Sequence, residues 1–310
     1  RQIPMSIHSI HHVTAVTAQI AENRKFYTEV LGLRLVKKSV NQDDVSAYHL
    51  FYADAAGSPG TDMTFFDWPN IGPAVPGVAS VALTSFHVPE ASLDFWVDRL
   101  EAAGSAPQRG INEQEWENIW FSDPEGQRLE FLANDNIPSQ STPWGKEVPT
   151  QYAIRGIVGV DLESARPEST YRVITELLGY KPAGQLDSIF ETVDANRYAK
   201  LALVGSYSRR VSQLGAGGVH HVAFRVDDED ELLAMQKKIE GVGLQTSGLV
   251  DRYYFKSLYF REPGGVLFEL ATEGPGFASD EPAESLGEKL ALPPFLEERR
   301  SEIEAGLTPI

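Results

Sequence analysis

The sequence predicts an α+β protein in which one structural unit is repeated four times. Each unit shows the same order: an apolar strand, a helix that ends near glycine, and further strand-like segments. Such internal repetition is the signature of a fold assembled from copies of one module. The dipeptide His-His opens the first and the fourth unit, which suggests that the two ends of the chain share a chemical role.

Apolar periodicity and terminating glycines define the four helices. In the second unit, Leu93, Trp96 and Leu100 recur at the spacing that buries one face of a helix. Proline or aspartate stands near the start of the later helices, and glycine follows the end of each one. The predicted helices cover residues 20–31, 90–103, 167–178 and 228–240.

The last strand of each unit is a short apolar run, and in two units a turn sequence precedes it. Residues 123–126 and 262–265 are rich in proline and glycine, as expected for a tight connection between strands. The predicted last strands lie within residues 63–68, 128–132, 200–204 and 266–270.

Composition shifts divide the chain into two halves. Residues 134–150 are rich in proline, serine and asparagine and are predicted to form a linker. The linker separates an N-terminal half over residues 7–133, with modules one and two, from a C-terminal half over residues 151–275, with modules three and four. A charged tail covers residues 276–310 and can form a helix near residues 295–305.

The composition excludes several functional classes. The formal net charge of −17 argues against nucleic-acid binding, which needs clustered Lys and Arg. No apolar run approaches the length that spans a bilayer, and the start of the chain does not read as a signal peptide. The chain has no cysteine, so it has neither disulfides nor thiolate chemistry, and a cytoplasmic location is expected.

The repeat places histidine in equivalent strand positions of units one and four. Counting back by one common interval from Phe26, Phe95, Tyr171 and Met235 in the four helices reaches His12, Val81, Ile157 and His221. Because side chains on a strand alternate between faces, the two members of a doublet are expected to point in opposite directions. His12 and His221 are predicted to point inward.

A carboxylate completes the set only when units one and four lie together. The last strands carry Glu130 in unit two and Glu269 in unit four, whereas unit one offers Phe65 or Phe66. Glu130 has no histidine partner in its own unit and is expected to be a hydrogen-bonded or rim carboxylate. The predicted metal ligands are His12, His221 and Glu269, a donor set that leaves coordination positions open.

Five stretches carry a family resemblance: HHVT at 11–14, YHLFYAD at 48–54, GSPGTDMT at 57–64, HHVAF at 220–224 and PGGVLFE at 263–269. Together they resemble the vicinal oxygen chelate superfamily, and within it the ring-cleaving dioxygenases of hydroquinones. The resemblance extends over about residues 7–290. It implies βαβββ modules in two cupped-sheet, barrel-like halves, with modules one and four paired around one metal.

The resemblance also implies a function and further site residues. It implies Fe(II), or another divalent metal, bound by the same three ligands, with His11, Thr14, Arg252 and Tyr259 around it. The expected reaction cleaves a hydroquinone- or catechol-like ring and inserts both atoms of O2. His11, Arg252 and Tyr259 would give acid or base assistance, and Thr14 would lie beside the substrate.

Two other functions remain open from the sequence. One is a glyoxalase-type isomerase or lyase with Zn, Ni or Mn, a chemistry that typically needs a second carboxylate as ligand and base. The other is a protein that binds an aromatic ligand without turnover, since fold alone does not determine function. The expected partners are a small aromatic substrate and O2, without nucleic acid or membrane, and the sequence leaves room for a homo-oligomer.

Overall fold

The computed structural model describes residues 8–205 and 210–310, so that Ile7, the predicted start of the first half, lies outside the described residues. The first module contains β1 Ile10–Thr17, α1 Ile20–Lys25, β2 Arg34–Asn41, β3 Asp44–Ala53 and β4 Asp62–Asp67. The second contains β5 Ser80–Val88, α2 Leu93–Ala102, β6 Gln108–Ile111, β7 Glu117–Ser122 and β8 Arg128–Ala133.

The other two modules repeat this order of elements, which confirms the predicted βαβββ layout. The third contains β9 Gly156–Glu163, α3 Pro167–Arg172, β10 Lys181–Pro182, β11 Ile189–Val193 and β12 Tyr198–Val204. The fourth contains β13 Val219–Val226, α4 Glu229–Gly241, β14 Val250–Asp251, β15 Phe255–Arg261 and β16 Leu267–Pro275.

Two eight-stranded sheets organise the molecule. The first has the strand order β14-β15-β16-β13-β1-β4-β3-β2, and the second has the order β10-β11-β12-β9-β5-β8-β7-β6. Modules one and four therefore share a sheet, joined by antiparallel β1 and β13, which confirms the predicted pairing. Each sheet takes one module from each predicted half, and the boundaries of those halves remain a prediction.

The helices occupy the predicted positions but begin and end with local variations. In the first and third modules the α-helix continues as a π-helical turn, over Phe26–Val30 and Val173–Leu177. In the second module a 3-10 turn over Glu90–Ser92 precedes α2. Gly32 and Gly179 follow the two π turns with φ of 70° and 76°, a conformation that glycine adopts without strain. No helix among the described residues is long and apolar enough to cross a membrane.

On the central strands β1 and β13, side chains on one face pack in the hydrophobic core, and side chains on the other face lie at the predicted metal-binding site. The main hydrophobic core contains Val13 of β1, Val222 and Phe224 of β13, and residues of the helices. His12 and His221 alternate with these positions and belong to the other, concave face. The metal-binding residues predicted from sequence therefore lie on the face of the sheet that the helices leave free.

The tail packs against the edge of the first sheet. A 3-10 segment over Pro294–Arg299 precedes helix α5, Arg300–Gly306, close to the predicted helical stretch. Leu292, Leu296 and Ile303 form a small core with Val40 of β2. Packing of this kind makes the tail part of the fold of module one.

Candidate metal centre

Two β-bulges position the histidine doublets at the centre of the first sheet. In the β1–β13 pairing, His12 lies opposite Ala223 and Thr14 lies opposite His221, while the register skips His11 on β1 and His220 on β13. A bulge adds an unpaired residue, bends its strand and changes the direction of nearby side chains. The first histidine of each doublet is therefore the extra residue of a bulge.

These bulges overturn the prediction that the members of a doublet point in opposite directions. His11 Nδ1 lies 2.8 Å from His12 Nδ1, and His220 Nδ1 lies 2.8 Å from His221 Nδ1. Strict alternation between faces holds only for a regular strand, and the extra residue removes it here. Each inward histidine thus has its neighbour beside it rather than behind the sheet.

The structure brings His12, His221 and Glu269 together in a buried cluster. Their ring and carboxylate atoms converge: Nε2 of His12 lies 3.0 Å and Nε2 of His221 lies 2.8 Å from Oε2 of Glu269. The two Nε2 atoms are 3.3 Å apart. Within residues 8–205 and 210–310, this is the one group of three or more His, Cys, Asp or Glu side chains close enough to hold a metal ion.

The arrangement fits a divalent cation. Metal–ligand distances of about 2.1 Å place neighbouring ligand atoms roughly 3 Å apart when they subtend a right angle at the metal. Glu269 Oε2 is also buried without a hydrogen-bond partner, although both Nε2 atoms lie within 3.0 Å of it. The three atoms therefore converge on a common position, as the ligands of one ion do.

Electrostatics favour the metal-binding protonation states of Glu269 and His221. Burial alone would raise the pKa of Glu269, but the neighbouring His12 and His221 side chains hold it well below its usual range. Burial lowers the pKa of His221 and favours the neutral ring. A carboxylate and neutral imidazoles are the forms that bind metals.

The hydrogen bonds of His11 determine the tautomer of His12. His11 Nε2 lies 3.1 Å from the carbonyl oxygen of Thr272, which can only accept, so this nitrogen carries the proton. Burial lowers the pKa of His11 well below its usual range, and the neutral ring then accepts at Nδ1. His12 must donate from its own Nδ1, which leaves the lone pair of Nε2 free for the metal.

His11 was predicted to act as an acid or base, and its position favours a different role. Both of its nitrogens are engaged, with His12 and Thr272. His12, His221 and Glu269 line one cavity, here called the metal cavity, and His11 is not among its lining residues. His220 holds the equivalent place beside His221 and packs edge-on against Phe66. His220 was not among the predicted site residues, although its place in the second doublet was a usable signal.

Arg252 and Tyr259 line the metal cavity, as expected for residues near the metal. Arg252 Nε donates to the hydroxyl of Tyr259 at 3.1 Å, and its guanidinium also contacts Asp43 at 3.1 Å. The Tyr259 ring lies 5.7 Å from the ring of His221. Burial and the nearby charge of Glu269 raise the pKa of Tyr259, so its phenol keeps the proton.

Thr14 also lines the cavity, where its hydroxyl lies 2.7 Å from that of Thr64. The β1–β4 register places Thr64 opposite Thr14, just as the β13–β16 register places Glu269 opposite Ala223. Thr64 is therefore the counterpart of Glu269 in module one. The prediction that Phe65 or Phe66 fills this position was wrong, because the ungapped comparison could not fix the register.

Aromatic rings form much of the cavity wall. Phe51, Phe66, Tyr254 and Phe255 line it together with polar side chains of the β2–β3 hairpin. His49 lines the cavity as well. Flat apolar walls with a few polar groups suit a small aromatic molecule.

The second sheet has the same strand arrangement as the first but lacks the set of predicted metal ligands. Glu130 accepts hydrogen bonds from Ser85 Oγ at 2.5 Å and Asn118 Nδ2 at 2.7 Å, which confirms the expected hydrogen-bonded carboxylate. It lies opposite Ser85, as Glu269 lies opposite Ala223.

The counterparts of the histidine ligands in the second sheet are not the predicted ones. Val81 and Ile157 were expected, but the β5–β9 register also skips one residue on each strand. The bulges move the equivalent positions to Leu83 and Gly159. Neither residue can bind a metal through its side chain, so the second sheet lacks the histidines of the first.

A family model described as the glyoxalase/bleomycin resistance protein/dioxygenase superfamily matches residues 9–131 and 163–270. A Bacillus subtilis (strain 168) protein named "Putative ring-cleaving dioxygenase MhqA" is 43% identical over 316 residues, covering 99% of this chain and 100% of that protein.

Two further proteins are similar over almost their whole length. The chlorohydroquinone/hydroquinone 1,2-dioxygenase of Sphingobium indicum is 29% identical over 312 residues, covering 97% of this chain and 96% of that protein. A crystal structure from Bacillus subtilis, named "putative dioxygenase", superimposes with a TM-score of 0.90 at 37% identity and covers 98% of both chains.

Proposed function

Because this chain belongs to the glyoxalase/bleomycin resistance protein/dioxygenase superfamily, we propose that it is a metal-dependent dioxygenase that cleaves a hydroquinone- or catechol-like ring. The observation that carries the proposal is the convergence of His12, His221 and Glu269 in a cavity with aromatic walls. One full-length relative is named "Putative ring-cleaving dioxygenase MhqA", and another is named as a dioxygenase of chlorohydroquinone and hydroquinone. Both atoms of O2 would enter the product.

Fe(II) is the metal that this donor set favours. Two histidines and one carboxylate on one face, with open positions opposite, form the ligand set of non-haem Fe(II) oxygenases. When bound, such an ion would pass electron density from the aromatic ring, which is the reductant, to dioxygen. His11 and His220 would keep the ligand rings in the required orientation and tautomer.

The residues around the cavity would bind the substrate and handle its protons. Phe51, Phe66 and Phe255 offer apolar surface to an aromatic ring. The Arg252 guanidinium would attract a phenolate oxygen and hold Tyr259 in place through their 3.1 Å hydrogen bond. With its pKa raised, Tyr259 holds a proton at its hydroxyl oxygen and can donate it as a general acid.

Glyoxalase-type chemistry has less support from this site. It typically needs a second carboxylate as ligand and base, and the counterpart of Glu269 in module one is Thr64. A threonine hydroxyl does not act as a base at neutral pH, because it keeps its proton. The same geometry leaves a position beside the metal for a substrate or O2.

Oxygen consumption with defined metals tests the proposal. The metal-free protein would be loaded anaerobically with Fe(II), Zn, Ni or Mn and mixed with hydroquinone, chlorohydroquinone or catechol. We expect O2 uptake with the Fe(II) protein and a ring-opened product that gains both atoms of ¹⁸O2 by mass spectrometry. A Glu269→Gln variant serves as the inactive control.

Other outcomes would identify the rival functions. Thioester formation from a hemithioacetal without O2 uptake would contradict the proposal in favour of glyoxalase chemistry. Tight binding of an aromatic ligand, with no turnover for any metal, would instead identify a binding protein.

A further inference from the structure

A row of three hydrogen-bonded side chains lies on the module-one side of the metal cavity, and the metal cluster does not use it. The hydroxyl oxygens of Thr14 and Thr64 are 2.7 Å apart, and Thr64 Oγ1 lies 3.0 Å from Nε2 of His49. Thr14 and His49 both line the cavity. The row thus has two ends at the cavity surface, joined through Thr64.

The row occupies the place of a fourth protein ligand. Thr64 is the counterpart of Glu269, and the equivalence extends one strand further. In module four, Tyr259 lies opposite Glu269 and Ser257 lies two residues before it, while in module one Phe51 lies opposite Thr64 and His49 lies two residues before that. His49 therefore corresponds to Ser257.

Modules one and four place hydrogen-bonded side chains at equivalent positions, but the side chains at these positions differ. Ser257 donates to Oε1 of Glu269 at 2.5 Å and leaves Oε2 to face the metal position. His49 bonds to Thr64, which has no carboxylate to offer a metal. A ligand in the open position would therefore meet a hydroxyl and an imidazole where the other side presents a carboxylate.

His49 has a free nitrogen with which to meet that ligand. Its ring packs against Phe51 and Phe66, with ring centroids 4.0 and 4.5 Å away, and Nε2 is fixed by Thr64. Among the described residues, Nδ1 has no hydrogen-bond partner. Burial and the neighbouring His12 lower the pKa of His49, so the ring is neutral, with one nitrogen as donor and the other as acceptor.

The row can present either a donor or an acceptor to the cavity. When Nε2 donates to Thr64, Nδ1 is left as an acceptor for a protonated phenol. When Thr64 donates to Nε2, Nδ1 carries the proton and can donate to a phenolate oxygen. Because Thr64 can serve both arrangements, the same row would accommodate the substrate before and after it ionises.

We propose that His49, held in place by Thr64, binds the substrate's phenolic oxygen in the part of the cavity that a fourth protein ligand would otherwise fill. This inference rests on the proposed function and adds a residue that selects for a hydroxyl-bearing ring. A site built to hydrogen-bond a substrate hydroxyl discriminates strongly against analogues that lack it, because its own polar groups are then left unpaired.

Anaerobic ligand binding tests the proposal without relying on turnover. The protein would be loaded with Co(II), and hydroquinone would be titrated while the visible spectrum of the metal is followed. We expect the Kd for hydroquinone to rise about tenfold in His49→Leu and in Thr64→Val, the change expected when one hydrogen bond is lost. His49→Gln and Thr64→Ser keep hydrogen-bonding groups and should lose less.

Further measurements separate hydrogen bonding from general damage to the fold. The double variant His49→Leu/Thr64→Val should lose about as much affinity as either single variant, because the two residues serve one hydrogen-bonded row. Metal stoichiometry should stay at the wild-type value in all of these variants. His87→Leu, which alters a buried histidine of the second sheet, is the matched control and should leave the Kd unchanged.

Each contrary result has a distinct meaning. Unchanged hydroquinone affinity in His49→Leu, with normal binding by the wild type, would overturn the role of His49 and leave the proposed function intact. Loss of Co(II) from the variants would show instead that the row supports the metal. Failure of the wild-type Co(II) protein to bind hydroquinone would overturn the proposed function and this inference together. Should His49→Leu not fold, Thr64→Val decides the matter.

Discussion

At the scale of single residues, each histidine doublet unites a metal-facing residue with the bulge residue beside it. The sequence was sufficient to identify His12 and His221 as the inward members, because they fall at equivalent positions of a repeat. The bulges could not be foreseen, since they depend on how β1 and β13 pair over a long distance in the chain. This is why the positions of His11 and His220 beside the two ligand rings were not predicted.

His11 should control metal affinity through His12. Replacing His11 with Leu removes the acceptor for His12 Nδ1 and the bond to the Thr272 carbonyl, so the ligand ring loses its fixed tautomer. We expect metal affinity to fall about 10- to 100-fold, as is typical when a ligand's hydrogen-bond partner is lost. Competition with a chromophoric chelator would measure it.

A conservative variant makes this prediction specific. His11→Gln offers both an amide oxygen and an amide N–H, so it should recover part of the lost affinity. If His11→Leu bound metal as tightly as the wild type, the proposed orienting role of His11 would be wrong.

At the scale of elements, the second sheet has the same strand arrangement as the first but lacks the histidine ligands. The counterpart of His12 is Gly159, and the Lys200 side chain crosses the space above it. A β-carbon at Gly159 would lie 2.6 Å from Lys200 Cγ and 3.0 Å from the Lys200 carbonyl oxygen. The missing side chain at Gly159 thus makes room for a buried lysine.

Gly159→Ala should therefore destabilise the fold. Overpacking of this kind costs about 1–3 kcal/mol, because the Lys200 side chain or the strand must move. Urea unfolding followed by circular dichroism would measure the loss. Gly72→Ala is the control, since a β-carbon there meets no atom within 4 Å, and equal stability of both variants would contradict the packing argument.

The helices illustrate which elements a sequence predicts well. Apolar spacing and terminal glycines identified all four, because both signals are local. The π turns at the ends of two helices and the bulges in the central strands were not predicted. Such irregularities insert or displace single residues, and packing against distant strands decides where they occur.

At the scale of the whole molecule, the site depends on the pairing of the first and last modules. The sequence predicted this pairing because no other combination of units supplies two histidines and one carboxylate, and the sheet order confirms it. The sequence did not predict that His49 would line the cavity and bond to Thr64, since their positions follow from the β3–β4 register. The sequence showed which residues could bind a metal, whereas the residues that surround them in the cavity became known only from the fold.

The central claim is that residues from opposite ends of the chain hold one metal ion. The most direct test is the metal content of His12→Ala, His221→Ala and Glu269→Ala, measured by mass spectrometry after loading with Fe(II), with His87→Ala as the matched control. We expect each of the three variants to lose most of its bound iron while remaining folded, and the control to retain it. Full iron occupancy in any one of the three would contradict the claim.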